Sequence, residues 1–190
     1  MKTFSTFFVM LLAALGVAVQ SQAAPFEAAA SYDAAKAYYL QINPNTKNYC
    51  YVSGSSVGNQ DKQETSAFMW KFVGNDADGY QVYNVGAGQT MVLYSANAST
   101  APSMVALATL GASANTRWDI SESPHGGAGG FYLSLHGNSS AWLNRNGSSG
   151  AIGFWSGKDA GSTFHIEEAG DPVDPQPTDG VFKLSTETEK

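Results

Sequence analysis

Charge and cysteine are what this chain has least of. Only 14% of its 190 residues are charged, well below the roughly 25% typical of soluble domains. The balance is acidic, with 10 Lys and Arg against 16 Asp and Glu for a net charge of −6. So few cations argue against a general nucleic-acid binder, which must neutralise phosphates, and against docking to an anionic membrane surface. The single cysteine, Cys50, permits no internal disulfide, so the fold must rest on its core rather than on staples. Flanked by Tyr49 and Tyr51, it reads as a buried thiol in an aromatic strand; an intermolecular pair is the alternative. One Cys and three scattered His (His125, His136, His165) show no metal-ligand spacing, and no cofactor is expected. Against these shortages stand 43% hydrophobic and 12% aromatic residues, enough for a core. The 20 Gly, set among many Ser, Thr and Asn, favour short strands and turns over long helices.

Only one long apolar run occurs, Phe7 to Val19. At thirteen residues it is short of the ~20 needed to span a bilayer. With Lys2 before it and the small residues Ser21 and Ala23 after it, it reads as a secretory leader cleaved after Ala23; an uncleaved anchor is the alternative. Removing residues 1–23 takes away one Lys and no acid, leaving a net charge of −7. The expected location is therefore secreted, periplasmic or on the cell surface. Residues 24–37 are an Ala-rich lead-in, either a helical turn or a linker. From Gly170 the stretch GDPVDPQPTD reads as an extended solvated linker. VFKLSTETEK then resembles an unfinished beginning, fitting a flexible tail or a chain that is part of something longer.

Between these ends lies an internal repeat. Three segments open with alternation of period two: Tyr38-x-Leu40-x-Ile42, Tyr80-x-Val82-x-Asn84 and Phe131-x-Leu133-x-Leu135. Three close with an aromatic two residues before another apolar: Trp70-x-Phe72, Trp118-x-Ile120 and Phe164-x-Ile166. The closing aromatics stand 48 and 46 residues apart, the opening ones 42 and 51. Each unit holds two further short strands: Tyr49–Val52 and the region of Val57, Met91–Leu93 and Met104-Val105, Ala141–Leu143 and Ala151–Phe154. A four-stranded unit cannot bury its apolar face alone. Three of them about a pseudo-threefold axis close a barrel and cap it with hairpins, which removes exposed strand edges. The expected fold is all-β, a β-trefoil over residues 38–169; a sandwich with fortuitous repetition is the alternative.

The closing segments TSAFMWKF, ANTRWDI and AGSTFHI resemble degenerate Gln-x-Trp repeats of ricin-type β-trefoil lectins. The third unit, AWLNRNGSSGAIGFWSGKDAGSTFHIEE, is similar to ricin-type modules appended to secreted glycosidases and other exported proteins of gut-type Bacteroidetes. The resemblance covers residues 38–168 and implies a non-catalytic module that binds a glycan or glycoconjugate. It also implies an attached or partner glycosidase, and further trefoil modules following in the same protein. One departure stands out. Phe68, Thr116 and Ser162 occupy the three Gln positions, where the family's Gln helps hold the repeat together, and this puts a ricin-like galactose site in question.

No catalytic constellation is apparent, and no enzyme is expected. No nucleophile elbow is indicated. Glu167 and Glu168 adjoin on a strand and point to opposite faces, so they do not flank a glycosidic bond. NDADG (75–79) reads as a turn between the first two units rather than a Ca²⁺ loop. HGGAGG (125–130) reads as the connection between the second and third. The third unit carries the surface best suited to sugars, which need aromatic faces for C–H surfaces and amides or charges for hydroxyls. Alternation places Leu143, Ile152 and Phe154 inward and Trp142, Asn144 and Trp155 outward, with Arg145 and Asp159 in adjoining turns. These five outward and turn residues are the first candidate carbohydrate site; the alternative is that the tryptophans pack against a neighbouring unit. A second candidate is Tyr49, Tyr51, Gln60 and Asp61, against which stands core packing of the tyrosines with their hydroxyls in water. The second unit, uncharged from Ser95 to Asn115, is expected to carry no site. Asn97, Asn138 and Asn146 head N-x-S triplets that mark surface turns. A structural or protein-interaction spacer is the rival to the lectin-like reading, and a trefoil protease inhibitor is disfavoured by the single cysteine.

Overall fold

The structure is a computed structural model that describes residues 24–170; the stretch expected to be a leader and the Pro/Asp-rich tail lie outside the described residues. Twelve strands follow one another: β1 (Tyr38–Ile42), β2 (Asn48–Ser53), β3 (Ser56–Asp61), β4 (Met69–Asn75), β5 (Gly79–Asn84), β6 (Met91–Tyr94), β7 (Ser103–Ala106), β8 (Trp118–Glu122), β9 (Phe131–Leu135), β10 (Trp142–Arg145), β11 (Ile152–Trp155) and β12 (Phe164–Glu168). Each falls on a segment read from the sequence, the third strand of the first unit only as the region of Val57. Six of them form a closed antiparallel ring in the order β1-β4-β5-β8-β9-β12, and β12 pairs back onto β1 through five residue pairs from Tyr38↔Glu168 to Ile42↔Phe164. The other six form the hairpins β2–β3, β6–β7 and β10–β11. This is the β-trefoil, and ring closure leaves the barrel without a free edge.

The alternation explains the core. Leu40, Ile42, Trp70, Phe72, Tyr80, Val82, Trp118, Phe131, Leu133 and Phe164 all belong to one buried cluster, joined from the hairpins by Cys50, Leu93, Met104, Leu143 and Ile152. The closing tryptophans tie barrel to hairpin by the same bond in two units. Trp70 Nε1 donates to Cys50 O and Trp118 Nε1 to Leu93 O, each at 3.0 Å. Phe164 takes this place in the third unit and has no such donor. Cys50 is buried, and desolvation pushes its thiol up from 9.0 to about 12.

The three Gln positions are filled in three different ways. Phe68 stacks on Tyr51 at 5.2 Å, Thr116 Oγ1 accepts from Gln81 Nε2 at 3.1 Å, and Ser162 Oγ accepts from Asn144 Nδ2 at 2.9 Å. Each joins the closing segment to a neighbouring strand, so the repeat holds together without Gln.

The lead-in is more than an approach to the barrel. Residues 25–37 form bends and turns rather than an α-helix. Phe26 is buried in the main core, stacked on Phe72 at 4.1 Å and edge-on to Tyr80 at 5.1 Å. Gly74 N donates to Ala29 O at 2.9 Å, and Lys71 Nζ donates to Tyr32 O at 3.0 Å while lying over the Tyr32 ring. Alternation analysis misses Phe26 because one aromatic in an Ala-rich stretch has no period.

The turns fall where expected. Asn75 Oδ1 accepts from the backbone N–H of Ala77 and Asp78, and Gly79 takes φ +76°, closing the β4–β5 turn. Residues 125–130 connect β8 to β9, with Ser123 N bonded to Gly130 O. Glu167 and Glu168 do diverge, toward Lys62 and Lys36 respectively. The spacing G-x-S-x-G does occur once, at Gly54-Ser55-Ser56-Val57-Gly58. The structure places it across the two-residue turn of the β2–β3 hairpin, with Ser53 paired to Ser56, not in a strand-to-helix elbow.

Candidate functional site

The β10–β11 hairpin forms a two-stranded sheet of its own. Its pairs are Trp142↔Trp155, Leu143↔Phe154, Asn144↔Gly153 and Arg145↔Ile152. Directly opposed residues share a face, so Leu143, Phe154, Ile152 and Arg145 point one way and Trp142, Trp155, Asn144 and Gly153 the other. Leu143 and Ile152 are buried, and Phe154 lies flat against Trp118 at 6.0 Å with ring planes 2° apart. Trp155 is 54% exposed, the one large hydrophobic side chain left in water among the described residues. A Cβ on Gly157 would stand 2.5 Å from Trp155 Nε1. Glycine there lets the indole lie close over the chain.

Beside Trp155 opens a cleft of about 460 Å³ lined by Asn43, Asn144, Arg145, Asn146, Asp159 and Gly161 among others. Its polar wall is built by a short 3-10 turn, Ala160–Ser162, that Asp159 caps. Asp159 Oδ1 accepts from Ser162 N at 3.0 Å and from Asn144 Nδ2 at 3.3 Å. Ser162 Oγ donates to Gly157 O at 3.0 Å. Gly161 also leaves room here: a Cβ would come within 2.9 Å of Asn144 Nδ2 and push that amide aside. The second carboxylate oxygen of Asp159 accepts no bond from the described residues, and neither does Asn144 Oδ1; both are free for ligand hydroxyls. Asn43 closes the cleft at the end of β1. It is the sole non-glycine with positive φ (+56°) among the described residues, a conformation that Asn tolerates better than most residues.

Four of the five first-candidate residues therefore line one cleft: Asn144, Arg145, Trp155 and Asp159. Arg145 does not stand in a turn as expected: it ends β10, paired with Ile152 on the face opposite Asn144 and Trp155. Its Nε donates to Asn59 Oδ1 at 2.8 Å, and Asn59 Nδ2 donates to Gly150 O at 2.5 Å, which locks the third hairpin to the first. Trp142 stands apart from the cleft. It shares the outward face but is half-buried, with Lys158 Nζ 4.8 Å over its ring and Tyr132 at 6.3 Å. The long Lys158 side chain covers the ring that alternation alone leaves open. Sequence reasoning missed Asn43, Ser162 and the two close-packed glycines. Ser162 carried a signal, being the polar residue at a Gln position, whereas Asn43 adjoins the site only through the fold.

The second candidate group does not form a comparable site. Tyr49 and Tyr51 share a face as expected, but the face is packed. Tyr51 stacks on Phe68, and Tyr49 meets Tyr39 edge-on at 6.5 Å, in a small satellite core. Tyr49 Oη donates to Glu167 at 3.4 Å, and Glu167 is held by Lys62 at 2.7 Å. Burial pushes the Tyr49 phenol up. Gln60 lies opposite Tyr49, while exposed Asp61 pairs with Asn48 and faces the other way. The contrast with the third unit is local. Tyr51 and Phe68 occupy the places of Asn144 and Ser162, so rings close in the first unit the gap that stays polar in the third.

Among the described residues, no group of three His, Cys, Asp or Glu is placed to hold a metal ion, and no helix is long and apolar enough to cross a membrane.

No protein-family model matches the chain, and no curated protein matches it. Solved structures do. A GlcNAcα1-4Gal-releasing endo-β-galactosidase from Clostridium perfringens aligns with a TM-score of 0.57 and 11% identity over 71% of this chain; the match spans only 33% of that enzyme. The ricin B-like lectin of Macrolepiota procera, solved with lactose, aligns at 0.55 and 14% identity, covering 70% of this chain and 95% of the lectin. SeviL, solved with asialo-GM1 saccharide, aligns at 0.55 and 17% identity, covering 72% and 99%. At such identities the likeness is one of fold: a β-trefoil of the kind that ricin B-like and other trefoil lectins adopt.

Proposed function

We propose that this protein is a carbohydrate-binding module of lectin type whose site is the third-unit cleft. The observation that carries the reading is Trp155, an indole 54% exposed beside the Asn144–Asp159–Ser162 cluster. A sugar C–H face stacks on the indole while its hydroxyls meet a free carboxylate oxygen and a free amide oxygen, the combination of apolar platform and a few fixed polar groups typical of ligand sites. That two of the solved neighbours were determined with saccharides supports the reading. We further propose that the chain is exported by its leader, as in the Bacteroidetes proteins it resembles, and holds an attached or partner glycosidase near its glycan, with additional trefoil modules beside it. A glycan array probed with residues 24–170 tests the reading. Binding that disappears in Trp155→Ala supports it. A blank array, or binding indifferent to Trp155→Ala, contradicts it.

A further inference from the structure

The cleft beside Trp155 does not end at the indole. A second hollow of about 180 Å³ adjoins it, lined by Asn144, Asn146, Ser149, Ala151, Ile152, Gly153, Phe154 and Trp155. The two hollows share three residues, Asn144, Asn146 and Trp155. Resting on the reading above, we propose that the site takes two consecutive saccharide units with their linkage at Trp155. The ligand class is thus an oligosaccharide read across a glycosidic bond, not a lone terminal sugar.

Three features of the second hollow carry this. Its volume corresponds to roughly six waters at about 30 Å³ each, room for one more ring with its hydroxyls. Its floor is Gly153, directly opposite Asn144 on the outward face, where an added Cβ would meet nothing within 4 Å. The missing side chain opens the hollow, since neither backbone conformation nor packing calls for glycine there: its φ is not positive, and a strand favours a larger residue. The far rim is a built turn. Asn146 Oδ1 accepts from Ser148 N and Ser149 N at 2.9 and 3.1 Å, and Gly150 N closes on Asn146 O at 2.8 Å. The Arg145–Asn59–Gly150 bonds fasten that turn to the first hairpin. Asn144, bonded through Nδ2 and free at Oδ1, stands where the hollows meet and can accept from a hydroxyl of either ring.

The test compares monosaccharides with their own disaccharides on residues 24–170. The pairs are galactose with lactose, N-acetylglucosamine with diacetylchitobiose, and glucose with cellobiose and maltose, measured by calorimetry. At least one disaccharide should bind tenfold or more tightly than its monosaccharide. Gly153→Leu, which fills the second hollow from open space, should erase that gain and keep the wild-type melting temperature. If no disaccharide exceeds its monosaccharide, or if the gain survives Gly153→Leu, the two-unit site is wrong while the cleft stands. If monosaccharide and disaccharide binding alike ignore Trp155→Ala, the cleft itself is wrong and the two-unit site falls with it.

Discussion

Four tryptophans with unlike surroundings show how the fold assigns tasks to one residue type. Trp70 and Trp118 are buried and donate to hairpin carbonyls, Trp142 is half-covered by Lys158, and Trp155 stands out in water. Truncation should separate them. Trp70→Ala removes a core side chain and leaves the Cys50 carbonyl unpaired, which should cost about 3–5 kcal/mol. Trp155→Ala gives up little buried area and should change stability by about 0.5 kcal/mol or less. Its cost should appear in binding, where a stacking contact of about 1–3 kcal/mol, by analogy with base–aromatic platforms, amounts to roughly a 5- to 150-fold loss of affinity. Chemical denaturation and glycan titration of the two variants check this. Equal destabilisation would make Trp155 a core residue. Alternation was enough to find Trp155 and Asn144, because a strand's period of two is rigid. It could not find the cover over Trp142, which comes from a side chain sixteen residues away in sequence.

The hairpins and the short 3-10 turns differ in how they are encoded. Strands repeat a visible pattern, and all twelve were legible. The turn at Ala160–Ser162 spans three residues, too few for any period, and it shows itself only through Asp159 as cap and Gly161 against Asn144. The cleft was therefore half legible: the strand side could be read, the turn side had to be seen. The hairpin β2–β3 also makes a prediction through Cys50. Burial favours the neutral thiol, so its pKa is higher in the folded than in the unfolded chain. That contribution to stability is complete below pH 9.0 and is lost as pH rises toward about 12. A thiol reagent at pH 8 should leave native protein unmodified and label unfolded protein fully, and Cys50→Ser should flatten the alkaline decline in stability. Rapid labelling of native protein would show that the β2–β3 hairpin opens readily.

On the scale of the whole molecule, the barrel includes chain that the repeat does not. Phe26 lies twelve residues before β1 and packs against rings from β1, β4, β5 and β9. Cleavage after Ala23 would keep it, and mass spectrometry of exported protein should find a chain that begins at Ala24. Phe26→Ala should destabilise by about 3–5 kcal/mol, and deletion of residues 24–37 should cost more; a thermal melt unchanged by either would remove the lead-in from the core. The pseudo-threefold architecture was legible because three aromatic alternations recur at similar spacing, whereas the inequality of the units was not. It arises where Tyr51 and Phe68 in one unit give way to Asn144 and Ser162 in another. The account rests on that inequality, and one spectrum reports on it directly. With residues 24–170 labelled with ¹⁵N, each of the 4 tryptophans contributes one indole N–H signal. During titration with the strongest-binding array glycan, the Trp155 signal should shift in a saturable way while those of Trp70 and Trp118 stay in place. Saturable binding that leaves the Trp155 signal unmoved would contradict a third-unit glycan site.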